Sequence, residues 1–163
     1  MGLAPGILSA LQQFRSSLLD ASDRFNQLHP IFVDWQLSGY ALWLSEKIAH
    51  KLTEIQEIEN YLLLHGHPLD IQIPQSPIVP ANPIEAMEEI TRQEVSCSLV
   101  IIAALGLPAL SSDRLSDMFI RDLVEEQTEE EATASELLER SRLFYTGQPP
   151  LWGLTLINDW LHQ

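Results

Sequence analysis

Apolar residues recur along most of this chain at the three-and-four spacing of a helix with one face turned to a core. Ser9 is a plausible N-cap for a first helix that carries Leu11, Phe14, Leu18 and Phe25 and runs at least to Leu28, behind a tail over 1–8. His29-Pro30 follows, and a proline there is expected to kink or end the helix, with Ile31 through Gln36 resuming it. After a turn signal at Leu37-Ser38-Gly39, the positions Leu44, Ile48, Leu52, Ile55, Ile58 and Leu62 mark a second helix that stops near Gly66. Residues 67–81 break this rhythm. They hold Pro68, Pro74, Pro77 and Pro80 among short β-branched patches and predict a long extended crossover.

Asn82-Pro83-Ile84-Glu85 combines an N-cap residue, a proline at the first helical position and a glutamate at the third, so a third helix starts there. Its stripe reads Met87, Ile90, Glu94, Cys97 and Ile101, and Gly106-Leu107-Pro108 ends it. Ser111 or Ser112 opens a fourth helix reaching about Leu143, with Ile120, Leu123, Gln127, Glu130, Ala134 and Leu137 on one stripe. Beyond Gly147-Gln148-Pro149-Pro150, the apolar segment Leu151 to Leu161 predicts a short fifth helix or tail within a C-terminal segment 147–163. The whole is an all-α single domain over 1–163: a four-helix bundle with one long crossover and a short C-terminal helix.

Composition narrows the class of partners. At 163 residues, 45% hydrophobic and 20% charged, the chain can bury a sizeable core. Its formal charge of −14, with Lys47 and Lys51 as its lysines, favours cations and disfavours nucleic acid and anionic membranes. Cys97 is alone, which excludes an internal disulfide or a cysteine-based zinc site. No apolar stretch reaches about 18 residues and no signal peptide is evident, so a cytoplasmic protein is expected.

The chemistry concentrates in Leu123 to Glu131, where five of the last seven residues are glutamates. Gln127 and Glu130 interrupt a face that should look into a core, and Glu126 flanks Glu130 at i,i+4. Like charges at that spacing destabilise a helix unless protons or cations bind, and such oxygen ligands are how bundles hold hard metal ions. A solvated acidic face is the competing reading of the same residues.

Gly66, the run Asp70-Ile71-Gln72-Ile73-Pro74 and Pro83-Ile84-Glu85-Ala86 resemble the long loop and third-helix entry of the ferritin family. Arg92-Gln93-Glu94-Val95-Ser96 and the acidic run from Val124 to Glu131 resemble the metal-bearing segments of prokaryotic ferritins. The resemblance implies Glu94 and Glu130 as ligands of the second iron of a dinuclear centre, Glu126 and Glu129 as ligands of a nearby third iron, and Gln127 as the glutamine beside the centre. His50 stands where a further third-site glutamate often occurs, and Glu54 where the centre's histidine does; either is equally readable as a surface or ion-pairing residue.

Other positions depart from the family. Lys51-Leu52-Thr53-Glu54 replaces the Glu-x-x-His pair whose glutamate bridges the two irons, and a donor-only ammonium repels ferrous ions. The first-helix ligand falls near Ser17 or Leu18-Leu19, and Asp20 is reached only by a register shift. The lysine resembles that of the light chain of animal ferritins, which stores iron without oxidising it quickly. The resemblance thus implies an iron-storage and detoxification subunit of a homo-oligomeric shell, alone or mixed with a catalytically complete subunit, handling Fe²⁺ and Fe³⁺ with weak or absent ferroxidase activity. Alternatives are an active ferroxidase with a rearranged di-iron centre, a metal-free interaction protein using Trp152 and Trp160, and a DNA-protecting mini-ferritin, whose Trp-x-Val-x-Gly is faintly similar to Trp35-Gln36-Leu37-Ser38-Gly39. Met87 and Met118 read as core fillers, so no haem is expected.

Overall fold

A computed structural model describes residues 2–145 and 152–163, apart from the side chains of Trp152 and Gly153. It contains α1 (Pro5–Asp34), α2 (Ser38–Leu64), α3 (Pro83–Ala104), a 3₁₀ turn (Pro108–Ser111), α4 (Arg114–Phe144) and α5 (Trp152–Leu161), with no strand among the described residues. α1 packs on α2 and α3, α3 packs on α4, and α5 lies across α2 and α4. The run Gly147-Gln148-Pro149-Pro150 and Leu151, the first residue of the expected apolar segment, lie outside the described residues.

The first helix begins earlier than Ser9. Pro5 occupies the first turn, where its missing N–H is no loss, and residues 2–4 form a lead-in to the helix. That lead-in is held, because Leu3 is buried and its N–H donates to His67 Nε2 at 3.0 Å. Nor does Pro30 end α1, which runs on to Asp34. Phe25, Leu28 and Phe32 lie fully buried on one stripe on both sides of it, while Pro30 itself is exposed, so water can satisfy the carbonyl the proline leaves free. The break comes at Trp35 and Gln36, the latter at φ 60°, before α2 starts at Ser38.

The polar face of α1 fastens the crossover. Arg15 donates to Asp70 O at 3.0 Å, Arg24 to Ser76 O at 2.7 Å, and Asp23 accepts from the Gln75 N–H at 2.6 Å. Asp20 accepts from Gln72 Nε2 at 2.7 Å, which commits this carboxylate to the crossover. The start of α3 is as expected: Asn82 Oδ1 accepts from the Glu85 N–H at 3.0 Å, and Glu85 reaches back to the Ala81 N–H at 2.7 Å. α4 is capped by Asp113 rather than Ser111 or Ser112, since the two serines belong to the preceding turn. Met87 fills the core, but Met118 is exposed and fills nothing.

One face differs instructively from its apolar pattern. Leu52 is 53% exposed, and the buried stripe of α2 runs instead through Leu44, Lys47, Lys51, Glu54, Ile58 and Leu62. Three charged residues therefore look into the middle of the bundle.

Candidate metal centre

Four helices converge on these charges. α2 supplies Lys47, Lys51 and Glu54 from successive turns, α3 supplies Glu94 and Cys97, and α4 supplies Gln127 and Glu130. α1 contributes backbone only, its Ser17 carbonyl accepting from the Cys97 thiol at 3.4 Å.

Lys51 and Glu94 are both fully buried, and their charges are met at close range. Lys51 Nζ donates to Glu94 Oε2 at 2.8 Å and to Gln127 Oε1 at 3.0 Å. Gln127 closes the ring by donating Nε2 to the Glu94 carboxylate at 2.8 Å and to the Glu94 carbonyl at 3.0 Å. Lys47 Nζ lies 3.3 Å from Glu94 Oε1, an ion pair without hydrogen-bond alignment, and donates to the Glu130 carbonyl at 3.1 Å and to the Glu130 carboxylate. Two ammonium groups thus face two carboxylates. Burial works against the Lys51 charge, but Glu94 and its neighbours outweigh it and hold the ammonium above the ordinary lysine range. Burial likewise opposes the Glu130 charge, and Lys47 more than offsets it, keeping this carboxyl below its usual range. The Cys97 thiol is pushed up to about 12 by burial, which leaves it an inert core group.

Glu130 also faces outward. Its Oε1 accepts from His50 Nδ1 at 2.9 Å, on the rim of a cleft between α2 and α4. This cleft has a volume of about 280 Å³ and is lined by His50, Thr53, Glu54, Glu57, Glu126, Glu129 and Glu130. Glu54 is 4% exposed and, among the described residues, its Oε2 has no hydrogen-bond partner. Burial pushes its pKa up to about 8, and the Glu126 and Glu130 charges add to that against the pull of Lys51. Glu126 is also raised, chiefly by partial burial and by Glu57, although a hydrogen bond with Glu54 works the other way.

Of the residues singled out from the sequence, His50, Glu54, Glu126, Glu129 and Glu130 share this cleft, and Glu94 lies deeper among the lysines. Among the described residues, no group of three or more His, Cys, Asp and Glu side chains stands as a metal-holding set. Sequence reasoning missed Lys47 and Glu57. Lys47 had a readable signal, since it precedes Lys51 by one helical turn on the same face; Glu57 had one too, at i+3 from Glu54.

A bundle with a long crossover, carrying charged side chains at its centre, has clear relatives. The family profile of the ferritin-like domain matches residues 8–144. The chain belongs to the ferritin family. Two curated relatives, both described as bacterial non-heme ferritin, from Bacteroides fragilis strains 638R and YCH46, are each 25% identical over 106 residues. That match covers 63% of this chain and 65% of each relative, so it spans just under two thirds of the ferritins it resembles. Among solved structures, an open pore ferritin from Archaeoglobus fulgidus superposes with a TM-score of 0.85 at 19% identity, covering 98% of both chains. A humanized archaeal ferritin gives 0.86 at 19% identity over 98% of this chain and 96% of that one. At such identity the likeness carries the fold, and the chemistry of this ferritin has to be argued from its own side chains. Among the described residues no helix is long and apolar enough to cross a membrane.

Proposed function

We propose that this chain is an iron-storage subunit that assembles with copies of itself, or with a catalytically complete subunit, and takes up iron on the carboxylates of the α2–α4 cleft with little ferroxidase activity of its own. One observation carries this reading: Lys51 and Lys47 hold Glu94 and Glu130 in ion pairs at the bundle centre. A cation entering there would have to displace two ammonium groups from the carboxylates that should bind it, against their repulsion. The same pairing disfavours an active di-iron enzyme with rearranged ligands.

Iron is then gathered outside the centre. Glu126 and Glu129, with Glu54 and His50 beside them, line an open cleft on a chain of net charge −14, and both features concentrate cations. The bacterial non-heme ferritin description of its relatives favours iron over other cations. The supporting test is iron loading. Protein supplied with ferrous iron in air should keep ferric iron in soluble form, and Glu126→Gln with Glu129→Gln should lower the amount retained severalfold. Precipitation as fast as in protein-free buffer would refute the storage role.

A further inference from the structure

We propose that this bundle conceals its side-chain amines, so that acyl transfer to lysine from a thioester or acyl phosphate is confined to chains whose central packing has opened, Lys47 becoming reactive before Lys51. The sequence supplies two lysines and seven arginines. Lysine is the residue that acyl donors modify, whereas a guanidinium stays charged and offers them no lone pair, so the position of the two lysines decides the chain's reactivity. Both are inside. Lys47 is 4% exposed and Lys51 is fully buried, and each is committed to carboxylates on other helices. The folded surface therefore presents arginine cations but no side-chain amine.

The two lysines differ in what must move to release them. Lys47 borders an open cleft of about 320 Å³ with Trp43, Glu46, His50, Glu129 and Thr133, and the Trp43 ring lies 5.2 Å from its Nζ. Letting go of Glu94 and of the Glu130 carbonyl and carboxylate turns this side chain into the cleft without parting the helices. Lys51 borders neither this cleft nor the one around Glu54, and it donates to Glu94 of α3 and Gln127 of α4, so α2 has to separate from both. In the opened chain the amine nitrogen bonds to the acyl carbon, the carbon's bond to sulfur or oxygen breaks, the thiolate or phosphate leaves, and the nitrogen's proton passes to water. The amide product carries no charge. Glu94 and Glu130 then share one buried ammonium, that of Lys51, and incomplete pairing of buried charge opposes re-closure. Acylation at Lys47 thereby holds the chain open and brings Lys51 within reach of a second transfer.

Pulse acetylation of the full chain with N-hydroxysuccinimidyl acetate, read peptide by peptide in a mass spectrometer, tests this. Arg92→Lys supplies the reference, because the Arg92 side chain is 63% exposed and the change adds a surface amine at constant net charge. In native buffer Lys47 and Lys51 should each label at least about a hundredfold more slowly than that introduced amine, as expected of groups reached only through opening. In urea below the unfolding midpoint, Lys47 should gain reactivity before Lys51. Lys47→Gln, which imitates the acylated side chain, should speed labelling of Lys51 by at least roughly tenfold, since it leaves the buried carboxylates short of a partner. Labelling of either lysine in native buffer within about tenfold of the introduced amine would overturn the concealment. Simultaneous labelling of both at the unfolding midpoint alone would overturn Lys47 as the first point of entry. The wild type measured against its own urea-unfolded state answers both questions even if Lys47→Gln folds poorly.

Discussion

At the scale of single residues, Lys51 and Glu94 show why a buried ion pair is informative without being strongly stabilising. Each charge is costly to desolvate, and the pair is tolerable only because Gln127 and Lys47 complete the hydrogen bonds and balance the charge. Removing one member strands the other. Lys51→Met should therefore cost about 3–5 kcal/mol of stability in urea denaturation, and adding Glu94→Gln should recover much of it. Glu54 gives a prediction of opposite character. Its folded-state pKa of about 8 exceeds the free value of 4.5, so the native protein holds this proton more tightly than the unfolded chain. Stability from this group is complete below about pH 4.5 and is lost as pH rises through 8. In metal-free buffer, Glu54→Gln should raise the melting temperature at pH 9 and change little at pH 5, the gain amounting to a few kcal/mol at most.

At the scale of elements, the helices were legible where local chemistry and burial agree, and misread where they compete. The Asn82 and Glu85 cap and the α3 stripe are local features, and both stand as the sequence implies. Pro30 is a local stop signal overruled from a distance, because Phe25, Leu28 and Phe32 bury the helix on either side of it. Pro30→Ala should accordingly stabilise the protein by on the order of 1–2 kcal/mol, the interior-proline cost less the stiffening of the unfolded chain. Leu52, expected in the core, is exposed while Lys47 is buried, for a related reason. Counting apolar residues marks leucine as core, whereas the partners that make Lys47 and Lys51 burialworthy come from α3 and α4 and have no signature within α2. Gly39 is a further non-local case. Asn158 of α5 accepts from its N–H at 2.6 Å, capping α2, and a Cβ at this position would overlap the Asn158 carbonyl oxygen. Gly39→Ala should release α5, seen as faster amide exchange over 152–161 with the rest of the bundle unchanged.

At the scale of the whole molecule, exposed apolar groups and net charge pull in different directions. Ile71, Ile73 and Val79 of the crossover are almost fully exposed, as is Leu64 at the end of α2, which leaves apolar surface available to a second copy. Self-assembly predicts a sizing-column particle far larger than the 18.4 kDa chain, and persistent monomer at micromolar concentration would count against it. The central claim concerns chemistry, namely that ammonium groups hold the carboxylates a di-iron centre would use. It is tested most directly by stopped-flow absorbance after mixing the metal-free protein with ferrous iron and oxygen. Oxidation close to the protein-free rate, with no transient coloured intermediate, is the expected result. Rapid, stoichiometric oxidation by the unmodified chain would contradict the account, because it would require iron where Lys51 and Lys47 now stand.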